Sequence, residues 1–176
     1  MPDRKRQLNL GCGVRWRPEC INVDLLLSVR PQVVCDLDHK RLPFAESSFD
    51  AIFVHDVIEH LDDIPAFIAE AHALLAGGGV LEITTPHFSS ANSFTDPTHR
   101  HHLGYFSFDY FTDSSPWNFY TPVRFDIIER NLVLHPGRLQ RLVAWYANRW
   151  PAAYERSFCW LWPAWFLIVR LRARKD

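Results

Sequence analysis

The sequence predicts an α/β fold built on a mostly parallel seven-strand sheet. Three observations predict it. Apolar runs of strand length recur along the chain, most of them β-branched. A segment with helical spacing stands between two of those runs, as a crossover between parallel strands requires. The first run enters a Gly11-Cys12-Gly13 turn and the second ends in Asp24, which marks the carboxyl edge of such a sheet as a ligand site.

Taken in order, Leu8 to Leu10 is the first strand and Gly11-Cys12-Gly13 its turn. Glycine admits backbone angles that other residues avoid, and its missing side chain lets a ligand approach the main chain. Ile21 to Asp24 is the second strand, and an acid at its tip can accept hydrogen bonds from both hydroxyls of a ribose. The pair points to a cofactor containing a nucleoside. Only seven residues, Val14 to Cys20, connect the two strands, too few for a usual crossover helix. The first crossover is therefore expected to be shortened, with the pocket open on that side. A nicotinamide dinucleotide is the main rival ligand. Its fingerprint wants a third glycine opening a helix and an acid about 20 residues on, whereas Arg17 holds that position and Asp24 arrives sooner.

Val33 to Asp36 reads as the third strand, 42–49 as a turn-rich connection and Asp50 to Val57 as the fourth strand. Leu61, Ile64, Ile68, Ala71 and Leu75 then recur at helical spacing. Asp62 or Asp63 can cap that helix, Pro65 suits its first turn, and Gly77-Gly78-Gly79 is expected to stop it. Val80 to Thr85 is the fifth strand. After Pro86 the texture changes to a loop rich in His, Ser, Thr and aromatics over 87–118, the length and composition of a substrate loop. Phe125 to Leu134 and Trp165 to Leu171 complete the strands, with a helix over Leu139 to Trp150 between them.

Totals bound the function. The 176 residues suit one domain, 1–176, and 48% hydrophobic with 22% charged residues is the composition of a folded soluble protein. A net charge of −1 gives no electrostatic footprint for nucleic acid. Cys12, Cys20, Cys35 and Cys159 form no Cys-x-x-Cys pair, against a zinc or redox motif. The start, MPDRKRQLNL, runs directly into a strand without the apolar core of a secretory signal, so a cytoplasmic location is expected. The charge is unevenly placed: residues 138–176 carry +6 and five of the seven tryptophans, against −7 for the rest.

LNLGCG, INVDL, CDLD, LPFAESSFDAIFVHDVIEHL and LLAGGGVLEITTP, in that order, resemble the class I S-adenosylmethionine-dependent methyltransferases, in the branch acting mostly on small molecules. The resemblance covers residues 8–86 and implies a Rossmann-like sheet with S-adenosylmethionine as cofactor. It implies that Gly11, Cys12 and Gly13 face the methionine part and that Asp24 holds the ribose hydroxyls with Leu25 beside the adenine. Asp36 and Leu37 would contact the adenine edge and face, and His55 would lie beside the sulfonium and amino group. Asn9 stands where the family usually has an acid.

The loop after the fifth strand gathers His87, His99, His101 and His102 with Asp96. Methyl transfer to a hydroxyl needs an aligned nucleophile and a proton acceptor, and a histidine suits the second task. His87, His99 and His101 are the candidates, with His99 or His101 as the base. A metal site made of these histidines and Asp96, or a hydrogen-bonded structural lid, are the rivals; the reading adopted assigns no metal. Arg100 can pair with an anionic substrate group or with an acid such as Asp109. His60, His72 and Glu59 read as structural. The expected function is methyl transfer to a hydroxyl, with an amine second, on a small or lipid-linked acceptor. A non-catalytic cofactor-binding scaffold or membrane-docked partner subunit is the alternative. The tryptophan-rich tail either makes a peripheral contact with the inner membrane surface or packs beneath the sheet.

Overall fold

The computed structural model describes residues 6–38 and 41–175. Met1 to Lys5 of the basic start, and Asp176 of the tail, lie outside it. Seven strands form one sheet: β1 (Gln7–Leu10), β2 (Ile21–Asp24), β3 (Val33–Val34), β4 (Phe49–His55), β5 (Leu75–Pro86), β6 (Arg124–Leu134) and β7 (Ala164–Arg174). Their order is β3-β2-β1-β4-β5-β7-β6. Neighbours from β3 to β5 are parallel, and β7 runs antiparallel to both β5 and β6. The order reverses beside β1, where β2 and β4 flank it. That is the switch point at which ligands bind in open α/β sheets.

One hydrophobic cluster holds the molecule together. Leu8 and Leu10 of β1, Ile52 and Val54 of β4, Leu81 and Ile83 of β5, and Leu167, Val169 and Leu171 of β7 are fully buried on one face of the sheet. Helix α1 (Ile64–Leu74) adds Phe67, Ile68, Ala71 and Leu74 to this cluster. Helices α3 (Arg138–Arg149) and α4 (Pro151–Ser157) add Ala147 and Tyr154. Each large side chain so enclosed contributes about 1.5–3 kcal/mol. The other face carries a row in register: Asn22, Asn9, Phe53, Glu82, Arg170 and Glu129. Phe53, Glu82 and Arg170 are only half-buried there.

The first crossover is as short as its sequence requires: residues 11–20 make turns and no helix. Asp63 caps α1 by accepting the Ala66 N–H at 2.9 Å, with Pro65 in the first turn. The glycines do not stop this helix. It ends at Leu74, and Leu75 already pairs with Phe49 in β5, so Gly77, Gly78 and Gly79 lie inside the strand. The loop after β5 contains a short helix α2 (Asn92–Thr95) and single 3-10 turns at Ser107–Phe111 and Asn118–Tyr120. All four cysteines are free thiols.

The β6 edge is closed by a side chain. Asn148 of α3 accepts the Leu132 N–H at 2.7 Å and donates to the Leu132 carbonyl at 2.9 Å, copying the pairing a further strand would make. Its amide also donates to Ala144 O, which fixes its rotamer. Asn148→Ala should therefore leave two edge groups unpaired under α3. Urea unfolding is expected to show a loss of about 1–3 kcal/mol.

Candidate functional site

The glycine turn is built for a close approach. Gly11 has φ +66° and a Cβ there would meet Val57 Cγ2 at 2.3 Å. Gly13 has φ +48°, and a Cβ added to it would point into open space. Asp24, at the tip of β2, ties this turn to the next one: Oδ2 accepts the Gly13 N–H at 2.8 Å and Oδ1 accepts the Leu26 N–H at 2.9 Å. Each carboxylate oxygen keeps a second lone pair for a ligand hydroxyl. Leu25 stands exposed beside it, and Leu37 is half-buried. Asp36 accepts the Asp38 N–H at 3.0 Å. Cys12 is buried, with its thiol pKa raised first by burial and then by Asp24. Its N–H donates to Val23 O, so the turn is a continuation of the β1–β2 pair.

The Asn9 departure has a structural reason. Its buried amide donates to Asn22 Oδ1 at 2.8 Å and to Arg15 O at 3.0 Å. The short connection folds back over β1 and needs donors at this point. A carboxylate has none to offer. Asn22 extends the network to the Arg17 N–H and Arg17 O.

His55 ends β4 on the half-buried face. Its Nε2 lies 3.1 Å from Glu82 Oε1 and its Nδ1 3.5 Å from Arg17 Nη2. Burial first, then Arg17, lowers its pKa, with Glu82 opposing. It is not among the residues lining the cleft that follows.

That cleft, about 700 Å³, opens at the carboxyl ends of β4 and β5. Asp56, Glu59, His60, Pro86, Asp96, His99 and Phe166 are among its walls, with Arg15 from the short connection. Arg15 Nη1 pairs with Asp56 Oδ2 at 2.5 Å. Asp56 Oδ1 is buried without a hydrogen-bond partner. The set fits the cofactor the resemblance implies: a carboxylate with spare acceptors for a diol, apolar side chains beside it, and an orphaned anionic oxygen suited to an ammonium group.

The three catalytic candidates separate. His99 lines the cleft. Its Nδ1 is 3.1 Å from Ser93 O, so that nitrogen donates, and Nε2 is left as the acceptor, 3.9 Å from Glu59 Oε1. His87 is fully buried away from it, with Nδ1 on Ser89 Oγ at 2.8 Å and Nε2 on Glu155 Oε1 at 3.0 Å. His87 thus anchors the loop to α4. Glu155 Oε1 also accepts the Tyr105 N–H at 2.5 Å. His101 does not line the cleft either. Its N–H donates to Glu59 O and its Nε2 is buried without a partner. Asp96 lines the cleft but is spent on Thr98, accepting both its N–H and its hydroxyl. Arg100 pairs with an internal acid, Asp62 rather than Asp109, which pairs with Arg130 at 2.7 Å.

Two residues read as structural from the sequence, Glu59 and His60, belong to this site. They sit in a 3-10 turn, Ile58–His60, directly after β4. Glu59 is 1% exposed, accepts the Thr85 hydroxyl through Oε2 at 3.0 Å, and leaves Oε1 without a partner. Its own carbonyl accepts the N–H groups of Arg100 and His101, so the same residue pins the histidine loop. One ligand atom each from Glu59, His60 and His99 lies within 4.8 Å of the others, the spacing of a group able to hold a metal ion. No sequence spacing announces the trio, because His99 comes from a loop of irregular length.

Burial is the largest influence on the Glu59 carboxyl and raises its pKa; the hydrogen bonds to it oppose. A carboxyl raised on folding stabilises the native state below its unfolded pKa of about 4.3 and loses that contribution as pH rises through the folded value. Glu59→Gln keeps the shape and removes the charge. With a chelator present, the melting temperature of Glu59→Gln relative to the native chain is expected to rise as the pH is raised above about 4.5 and to level off once the native carboxyl has ionised.

Residues 8–83 match the family model described as a methyltransferase domain. Among curated proteins no sequence matches this chain. A methyltransferase dependent on S-adenosylmethionine from Archaeoglobus fulgidus has the same fold with a TM-score of 0.67 at 16% identity, over 96% of this chain and 86% of that one. Another from Mesorhizobium loti gives a TM-score of 0.61 at 18% identity, over 96% and 90%. The [4+2]-cyclase SpnF is also similar, at TM-score 0.61 and 16% identity over 98% of this chain and 75% of that one, so the fold alone does not name a reaction. The family model over residues 8–83 goes further: this part of the chain is a methyltransferase domain, with S-adenosylmethionine as the methyl donor that such a domain uses.

Proposed function

We propose that the chain moves the methyl group to a hydroxyl, with an amine as second choice, on a small or lipid-linked acceptor held in the cleft between the glycine turn and the histidine loop. In this reading Asp24 takes the ribose hydroxyls, with Leu25, Asp36 and Leu37 around the adenine. Gly11, Cys12 and Gly13 lie along the methionine part. Asp56 Oδ1, rather than His55, receives the amino group, since His55 is already engaged by Glu82 and Arg17. Bound S-adenosylmethionine supplies a sulfonium methyl open to in-line displacement.

The observation that carries the acceptor reading is the position of His99 Nε2. His99 lines the cleft, its Nδ1 donates to Ser93 O, and Nε2 is left 3.9 Å from the Glu59 carboxylate. The ring is the proton acceptor we assign for a hydroxyl there, and the neighbouring carboxylate would stabilise the imidazolium formed. A non-catalytic scaffold would have no use for these converging groups. His99→Ala should lower methyl transfer to a hydroxyl acceptor by about 100- to 10,000-fold while calorimetry shows nearly unchanged cofactor affinity. Equal rates in the mutant would place proton removal elsewhere.

Exposure supports a lipid surface as the acceptor's source. Trp145 is 63% exposed, Trp160 68%, and Trp150 43%, so these side chains do not pack beneath the sheet. Leu139, Leu142, Leu161 and Phe158 are exposed with them, among Arg138, Arg141, Arg149 and Arg156. Trp165 is 39% exposed on β7, next to Phe166 of the cleft. Among the described residues no helix is long and apolar enough to cross a membrane. Tryptophan favours the lipid–water boundary, and each nearby basic side chain adds about 1 kcal/mol of attraction to anionic lipid. Sedimentation with anionic vesicles should show binding that weakens with salt and on replacing Arg138, Arg141 and Arg149 by Gln. No sedimentation at low salt would remove the lipid-linked acceptor.

A further inference from the structure

We propose that Glu59, His60 and His99 form a binding site for one divalent transition-metal ion of the zinc type, opening into the methyl-transfer cleft. The binding rests on the geometry of these three side chains. Only the use of the ion rests on the functional reading above.

The orientation of each imidazole is the first argument. Thr98 Oγ1 donates to Asp96 Oδ1 at 2.7 Å, so it accepts from His60 Nδ1, which lies 2.9 Å away. His99 Nδ1 donates to Ser93 O at 3.1 Å. Both rings therefore carry their proton on Nδ1 and present the Nε2 lone pair. A metal-binding histidine is held in this way, its other ring nitrogen donating to a carbonyl or to a group backed by a carboxylate. The His60–Thr98–Asp96 relay and the Ser93 carbonyl supply both outer partners.

The carboxylate is the second argument and is independent of the first. Glu59 Oε1 is buried and has no hydrogen-bond partner, while Oε2 is held by Thr85. A buried anionic oxygen left unpaired is costly unless a cation or donor reaches it. Oε1 lies 3.9 Å from His99 Nε2, a separation that an ion at about 2.0–2.2 Å from each would bridge. The trio is within 4.8 Å throughout, and ligand atoms about 2.0–2.2 Å from a tetrahedral ion stand roughly 3.3–3.6 Å apart, so the side chains draw in by about 1 Å to close on it.

Charge and access agree. Asp56 and Asp96 line the same cleft, while Arg15 is neutralised by Asp56 and Arg100 by Asp62. Two imidazoles and one carboxylate suit Zn²⁺ and its neighbours rather than Mg²⁺ or Ca²⁺, which prefer oxygen. Three protein ligands with a side open to a cleft leave a position for an acceptor oxygen. There the ion would polarise the hydroxyl in place of the His99 ring, so loss of activity in His99 variants does not separate the two, and metal binding itself is the readout.

The test titrates the chelator-treated full chain with Co²⁺, followed by visible absorption and calorimetry. One ion per chain is expected, displaced one for one by Zn²⁺. His60→Gln and His99→Gln should each weaken Co²⁺ binding by at least about 10-fold. His102→Gln, on an exposed ring stacked on Phe94, should leave it unchanged. Thermal melts establish that the variants fold. Should a ligand variant not fold, Thr98→Val removes the His60 partner while sparing all three ligands and should still weaken binding about 10- to 100-fold. Absence of saturable binding at one equivalent, or binding indifferent to His60→Gln, His99→Gln and Thr98→Val, overturns the proposal. Cofactor affinity is measured separately. Metal binding without cofactor binding would sink the functional reading alone, and the reverse would sink this one alone.

Discussion

Three parts of the molecule meet at Glu59. Its peptide carbonyl holds the histidine loop through the N–H groups of Arg100 and His101. One side-chain oxygen holds Thr85 near the end of β5, and the other faces His99. A carboxylate taken out of water in this way is costly unless its environment satisfies it. The position of the loop and of the turn after β4 are tied together by that one residue, while the Ser93 carbonyl orients His99 beside its unpaired oxygen. This explains how a loop of irregular structure can still hold chemistry at fixed distances. Its backbone is tied at Glu59, at the His87–Leu103 bridge and, through Glu155, to α4.

The short first crossover has consequences across the sheet. With no helix between β1 and β2, residues 15–17 cover the adjoining strands themselves, and Asn9 and Asn22 provide the hydrogen bonds that let them do so. Beyond that cover the sheet face carries a charged band rather than a second core. Arg17 stacks on Phe53 with its guanidinium carbon 3.8 Å from the ring centroid. Glu82 draws in Arg17, His55 and Arg170, and Arg170 continues to Glu129. Stability therefore comes from the one continuous apolar cluster on the opposite face, where α1, α3 and α4 bury their side chains. Exposed pairs of this kind contribute little each, about 0–1 kcal/mol, so the band is better understood as solvating a sheet face than as holding it together.

The tail is divided by the same economy of apolar surface. Strand β7 alternates, with Leu167, Val169, Leu171 and Ala173 inward and Arg170, Arg172 and Arg174 outward. Its basic residues are largely answered on β6 and nearby, by Glu129, Asp126 and Asp113. The helices before it bury only Ala147 and Tyr154 and leave Leu139, Leu142 and Trp145 outside. So the strand is core, and the helical part of the same segment forms the apolar surface. Packing beneath the sheet describes the strand and does not describe the helices, whose apolar side chains stay exposed.

Local pattern determined most of the scaffold. Alternation and run length located the strands. The Asp63 cap and helical spacing located α1, and seven residues between Gly13 and Ile21 ruled out a first helix, because each depends on interactions between near neighbours in sequence. Where local rules competed, they were less sufficient: the glycines after α1 do not stop the helix but fill the irregularity of β5 between the Leu75–Phe49 and Val80–Ala51 pairs, where Gly78 takes φ +78°. Tertiary structure decided the site. Glu59 and His99 are forty residues apart, and nothing in either neighbourhood distinguishes a buried carboxylate from one that caps a turn. The sorting of His87, His99 and His101 into an anchor, a cleft residue and a loop residue depends on which long-range partner each ring meets. Burial and distance are properties of the folded chain, and they separate histidines that the sequence presents as equals.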